Sequence, residues 1–235
     1  KKCVIFGIEN NFKLIELMFE FPQMELSLRE LNEIKDYLST SKHFEITFHG
    51  PLLETNLGSL REEIAKIALK KIQQTIEMCY KLEGKFVNIH TGYFPFCHPK
   101  SSITYQQRLI KKIAFEKCLK RLIKSLSFLS TFASERGISI LLENNEAIGY
   151  FPRTPEDFER ILSKLSKVYV TIDTGHANLV GDVMSFFRKL YKKTKMIHLH
   201  DNKGNLDSHM PLGEGNIDFK SIFCFLSKKR IKEIR

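Results

Sequence analysis

Short apolar runs punctuate this chain, and stretches of helical periodicity separate most of them. Residues 13–20, KLIELMFE, read as a strand. Further runs lie at 44–49, 85–90, 138–143, 168–173 and 195–200, and the closing KEIR resembles the opening of another. These runs are rich in β-branched and aromatic residues, as buried strands are. A separate strand over 3–8 would leave only about six residues before the next one, and a parallel crossover needs roughly a dozen. Residues 1–10 therefore read as the end of a helix, with Asn10-Asn11 turning the chain, since Asn tolerates the left-handed region.

Helices fill the intervals. Ser27 and Glu30 form a capping box for a helix over 27–39. Leu60, Ile64, Ile67, Ile72, Ile76, Cys79 and Leu82 mark a buried stripe on a helix over about 60–83. One long helix, or two in succession, covers about 104–135 and ends before Gly137. Thr154 caps the next, with Pro155 in its first turn, Asp157 at N3, and Phe158, Ile161, Leu162 and Leu165 on its buried side. Helices at 182–193 and about 218–228 follow, the last capped by Asp218. The connection 92–102 is aromatic and longer than the usual 2–6 residues, which marks a lid or binding loop.

This βα repeat predicts an α/β fold, a (β/α)8 TIM barrel formed as a single domain over 1–235. The strand count, six with the start of a seventh, predicts a barrel incomplete at one or both termini of this sequence. No linker-like composition divides the chain.

Composition narrows the class. Hydrophobic residues make up 43% of 235, which is globular rather than disordered. No run approaches the roughly 18 apolar residues of a membrane span, and no secretory leader is visible. A cytoplasmic protein without membrane contact is expected. Cys3, Cys79, Cys97, Cys118 and Cys224 are odd in number and far apart, so they read as small core residues in a reducing compartment. The net charge of +10 favours phosphate-bearing partners, but much of it lies in pairs on helix faces, at 70–71, 111–112, 192–193 and 228–230.

The strand ends carry the chemistry. His49 follows FEITF, His90 follows KFVNI, and Glu143 closes ISILL. Asp173 and His176 lie in VYVTIDTGH, His198 in MIHLHDN, and Asp207 and His209 in DSHMPLGEG. A barrel brings such residues to one rim. An isolated strand histidine is usually structural, but an ionised Glu143 ending an apolar run demands a partner. The His, Asp and Glu donors suit a divalent cation, with zinc or manganese the natural choices where His is abundant. His198 and His200 share one parity, so both point inward while Leu199 points out. Asp207 and His209 do the same if locally extended. His200 is a ligand, an orienting group or a core residue, and Asp201 is placed to orient a neighbouring imidazole. His43 and His98 read as surface residues.

HGPLLETNLGS from His49, NIHTG around His90, LLENNE around Glu143, IDTGHANLVG around Asp173, HLHDN at His198 and DSHMPLGEGNIDF from Asp207 together resemble the xylose isomerase-like barrel superfamily over nearly the whole chain. That superfamily holds sugar isomerases and epimerases and the endonuclease IV type of apurinic endonuclease. The endonuclease resemblance implies three zinc ions. His49, His90 and Glu143 would hold the first. Glu143, Asp173, His198 and a glutamate expected beyond Arg235 would hold the second. His176, Asp207 and His209 would hold the third. The isomerase resemblance implies one ion on Glu143, Asp173, His198 and the same glutamate. Glu143 and that glutamate would then move protons next to a ketose carbonyl through an enediolate, and His176 would contact a sugar hydroxyl, making Glu143 and His176 the catalytic candidates within this sequence.

The loops tip the balance. FPQMELS, after the first strand, is short and unlike the DNA-gripping loop of the nucleases, and Leu52 stands where they carry a DNA-contacting Tyr. The expected function is therefore a metal-dependent isomerase or epimerase of a small sugar or polyol, with one to three ions. The alternatives are a zinc-dependent apurinic endonuclease or phosphodiesterase, with DNA as the less favoured partner, and a metal-binding barrel without catalysis. The Asp-Ser-His of 207–209, where the epimerases often carry a substrate-binding Arg, speaks for these alternatives.

Overall fold

Alternation within the apolar runs gives each strand two unlike faces, and the fold follows from burying both. In the computed structural model, residues 2–20, 27–40, 43–53, 55–94, 104–229 and 235 are described. Six parallel strands stand side by side in sequence order: β1 (Leu14–Met18), β2 (Glu45–His49), β3 (Phe86–Ile89), β4 (Ser139–Glu143), β5 (Val168–Asp173) and β6 (Thr194–His198). The helices are α1 (Lys2–Glu9), α2 (Leu28–Ser39), α3 (Glu62–Lys81), α4 (Tyr105–Ser134), α5 (Pro155–Leu162), α6 (Thr174–Val180), α7 (Val183–Leu190) and α8 (Phe219–Lys228). The sheet is the curled wall of an α/β barrel that these six strands leave open. Arg235 adds to it, since its amide donates to Lys195 O at 2.9 Å and its carbonyl accepts from Ile197 N at 2.9 Å. Those two bonds are the parallel pattern of a strand beside β6. The rest of KEIR, most of the 92–103 loop with His98 and Cys97, and most of FPQMELS lie outside the described residues.

Ile46, Phe48, Val87, Ile89, Ile140, Leu142, Val170 and Ile172 face the helices and join one apolar core with Ile72, Ile76, Leu122, Leu126, Phe158, Ile161 and Phe187. The opposite parity is mostly polar, with Leu141 and Met196 its buried apolar members. Thr47, Asn88, Thr171 and the strand-end donors lie there, most of them buried. This second face becomes the site.

Local signals set the boundaries. The Ser27–Glu30 and Thr154–Asp157 capping boxes both form, and Asp218 caps α8 through Ser221 N. Asn11 turns the chain at φ 59°, and Gly137 follows the unbroken α4 at φ 71°, a conformation that costs Gly little.

Two expectations are corrected, and one helix forms that the periodicity did not predict. The stripe on α3 is buried only in its second half. Leu60, Ile64 and Ile67 are exposed, and Ala65 and Ala68 pack inward instead, because they and not Ile64 and Ile67 lie in helical phase with Ile72, Ile76 and Cys79. Cys79 and Cys118 are buried, but Cys3 and Cys224 are exposed on outward faces of their helices. Residues 174–180 form a helix that begins on the Asp173 side chain, which accepts from His176 N at 2.7 Å. A polar strand-end residue acting as a cap hid that short helix from the periodicity.

Candidate metal centre

The rim at the strands' C-terminal ends gathers all eight sequence candidates with His200. Four groups of donor atoms each converge within 4.8 Å: His49–His90–Glu143, Glu143–Asp173–His198, Asp173–His176–His200, and His200–Asp207–His209. Shared members make these one continuous constellation. Glu143 is its hub. Oε2 lies 3.3 Å from His49 Nε2 and 3.5 Å from His90 Nε2, and it accepts a short hydrogen bond from Asn88 Nδ2. Oε1 lies 3.1 Å from His198 Nδ1 and 3.6 Å from His176 Nδ1.

The imidazoles are held by oxygen acceptors behind them. His49 Nδ1 donates to Gly50 O at 2.8 Å, and His176 Nδ1 to Asn144 O at 2.9 Å. His90 Nδ1 donates to Asn145 Oδ1 at 2.7 Å, an amide fixed by its own Nδ2 donating to Pro152 O at 3.0 Å. Each arrangement leaves Nε2 as the free lone pair, directed at the cluster. His200 Nε2 sits 2.9 and 3.0 Å from the two Asp173 oxygens, and its ring stacks on His209 with centroids 3.9 Å apart.

Burial concentrates the charge. Glu143 and Asp173 are each 2% exposed. Burial opposes the charge on Glu143, but His90, His198 and His49 outweigh it and hold the carboxyl well below its usual range. Burial likewise opposes a proton on His198, and Glu143 and Glu16 outweigh it, so its pKa rises well above the ordinary value. His49 and His200 rise for the same reason, against burial, through Glu143 and Asp173 respectively. Buried carboxylates crowded by imidazoles, with Glu16 Oε1, His198 Nε2, His200 Nδ1 and Asp207 Oδ1 buried without hydrogen bonds, fit a divalent cation well.

Two sequence expectations change here. Asp201 does not orient an imidazole. Its fully buried carboxylate accepts backbone N–H bonds from Asn202 at 2.9 Å, Gly213 at 3.0 Å, Gly215 at 2.9 Å and Ile217 at 3.2 Å, and so shapes the loop that carries Asp207 and His209. That loop is not extended: His209 has φ 45°, and its Nε2 folds back to Asp207 Oδ2 at 3.1 Å. His176 Nε2 also reaches Asp207 Oδ2 at 3.5 Å. His43 is exposed, as expected.

Five site residues escaped the sequence reading, Asn145 behind His90 among them. Glu16, Asn88, Asn144 and Glu146 also line or brace the cluster, with Glu146 Oε2 3.6 Å from His176 Nε2. Glu16 and Asn88 had a signal, since each is a polar residue within an otherwise apolar strand. Both stand within their strands rather than at the ends, which are the positions a barrel rim gathers.

Comparison with known proteins agrees with this geometry. The family described as "Xylose isomerase-like TIM barrel" matches residues 8–234. The "Uncharacterized protein MJ1614" of Methanocaldococcus jannaschii is 32% identical over 84% of this chain and 70% of its own length. "Probable endonuclease 4" of Thermosipho melanesiensis is 26% identical over 90% of this chain and 77% of its own. A solved structure of a D-tagatose 3-epimerase-like protein superposes with a TM-score of 0.82 at 27% identity, covering 97% of this chain and 82% of that one. The chain belongs to the xylose isomerase-like TIM barrel family.

Proposed function

We propose that this protein is a single-domain, divalent-metal-dependent isomerase or epimerase acting on a small sugar or polyol. The observation that carries the reading is the buried Glu143–Asp173–His198 group, placed beside further acid–base groups on the barrel rim. Its likeness to the D-tagatose 3-epimerase-like protein supports the same class of chemistry. Zinc or manganese suits the oxygen and nitrogen donors. A bound ion would supply the Lewis acid that polarises a carbonyl and its neighbouring hydroxyl.

The side chains would do the rest. Glu143 would be the base that takes a proton from the carbon beside the carbonyl; delivering it to the neighbouring carbon gives the isomer, and epimerisation requires a second acid on the opposite face. His176, held through Nδ1 by Asn144 O, would meet a substrate hydroxyl with Nε2. Burial of both groups keeps bulk water from competing for the proton. Among the described residues, no helix is long and apolar enough to cross a membrane. Free thiols at Cys3, Cys79, Cys118 and Cys224 support a reducing, cytoplasmic setting.

A second reading has its own observation. The four linked donor groups provide for more than one ion, and together with the likeness to "Probable endonuclease 4" they favour a phosphodiesterase acting on DNA. Elemental analysis of protein purified without chelator separates the two. One exchangeable ion per chain supports the isomerase reading, and three tightly held zinc ions support the phosphodiesterase.

A further inference from the structure

We propose that Glu16 is a positioning residue that turns the Nδ1 atom of His198 towards the metal centre. The inference rests on the metal-binding reading above. Glu16 stands in the middle of β1, in register with Thr47 of β2, two residues along the same face from the Met18–His49 pair. Its Oε2 lies 2.9 Å from His198 Nε2. This contact joins the first and last strands of the six-stranded sheet, which are not hydrogen-bonded to one another.

The two nitrogens of His198 face different partners. Nδ1 lies 3.1 Å from Glu143 Oε1 and 3.8 Å from Asp173 Oδ2, the two carboxylates that converge with it. A neutral imidazole can lend one nitrogen to a cation only while the other keeps its proton, and the acceptor behind the ring decides which. His49, His90 and His176 are each held through Nδ1 by a neutral oxygen. His198 is reversed: its Nε2 is the buried nitrogen, and a carboxylate, Glu16 Oε2, lies 2.9 Å from it at an angle that makes no hydrogen bond in this structure, so the contact is one of charge and proximity. A carboxylate fixes the tautomer and also makes the opposite nitrogen a stronger donor. Glu16 is committed to this task, because its Oε1 is buried without a hydrogen bond and its one short contact among the described residues is His198.

A plain structural brace between β1 and β6 would show the same distance, so the test must read the ring and the metal rather than stability. Zinc is the probe, its affinity measured by chelator competition and the histidine tautomers by long-range 1H–15N NMR. In the zinc-loaded wild type, the signal lost in His198→Ala is expected to show a protonated Nε2 and a metal-bound Nδ1. Glu16→Gln, checked for folding by circular dichroism, is expected to weaken zinc binding about 10- to 100-fold, the usual effect of removing such a partner. Wild-type affinity in Glu16→Gln, with affinity lost in His198→Ala, would overturn the role of Glu16 alone. Wild-type affinity in both variants would overturn the metal-binding reading as well. Should Glu16→Gln not fold, the wild-type spectrum decides: a protonated Nδ1 on His198 contradicts the proposal.

Discussion

The ring of His200 occupies the space that a side chain at position 175 would fill. A Cβ built on Gly175 would stand 1.9 Å from His200 Cε1. The glycine of the Asp-Thr-Gly-His run is therefore needed for room, and the room belongs to an imidazole that holds both oxygens of Asp173. Gly175→Ala must displace His200 and release Asp173. Zinc affinity, measured by chelator competition, is expected to fall about 10- to 100-fold, as it does when an orienting partner is lost. Affinity within twofold of wild type would show that His200 does not govern Asp173.

Asp201 makes a different prediction, because it organises backbone rather than donors. Removing a buried carboxylate that satisfies four amides leaves donors without partners. Asp201→Ala is expected to destabilise the protein by about 2–4 kcal/mol in urea denaturation. Hydrogen exchange should quicken at Gly213, Gly215 and Ile217, which donate to it. Unchanged exchange at these amides would refute the assignment.

Glu45 gives the pH dependence at the opposite end of the strands. The Arg235 guanidinium, at 2.7 and 3.1 Å, and Lys85 at 3.1 Å hold its carboxyl below the ordinary value of 4.5. A depressed folded-state pKa contributes stability that is fully present above 4.5 and disappears as the pH falls through the folded value. The group is partly exposed, so the contribution is about 1 kcal/mol or less. The stability gap between wild type and Glu45→Gln should be constant from pH 6 to 8 and should close in acid, as read by denaturation at a series of about six pH values. A gap that widens in acid would contradict the ion pair.

Burial pushes the Cys79 thiol up to about 12, and the Sγ contacts Phe86 O at 3.6 Å. In the folded protein at about pH 8, a thiol probe mapped by mass spectrometry should modify Cys3 and Cys224 and spare Cys79. Rapid labelling of Cys79 would show that α3 does not pack on β3 as described.

The strand ends were legible in the sequence because each apolar run stops at a donor, and the barrel places all such ends on one rim. His49, Glu143 and Asp173 needed no more than that. His200 stayed open because parity alone cannot say whether a ring faces a carboxylate or the core. Its role depends on the space over Gly175, a contact between residues 25 apart in sequence. Glu16 was hidden for a related reason: its partner His198 is on the far strand of the sheet. The form of the 207–209 turn was also illegible, since it depends on Asp201 holding amides from a later segment.

The central claim is that Glu143 moves a proton at a carbon next to a carbonyl, in a metal-dependent way. The direct measurement is deuterium uptake from D2O into ketopentoses and ketohexoses incubated with the manganese-loaded protein, followed by NMR. The account predicts exchange at the carbon beside the carbonyl, lost on removing the metal and lost in Glu143→Gln. No exchange across the sugars, with metal-dependent cleavage of DNA containing abasic sites by the same preparation, would contradict it.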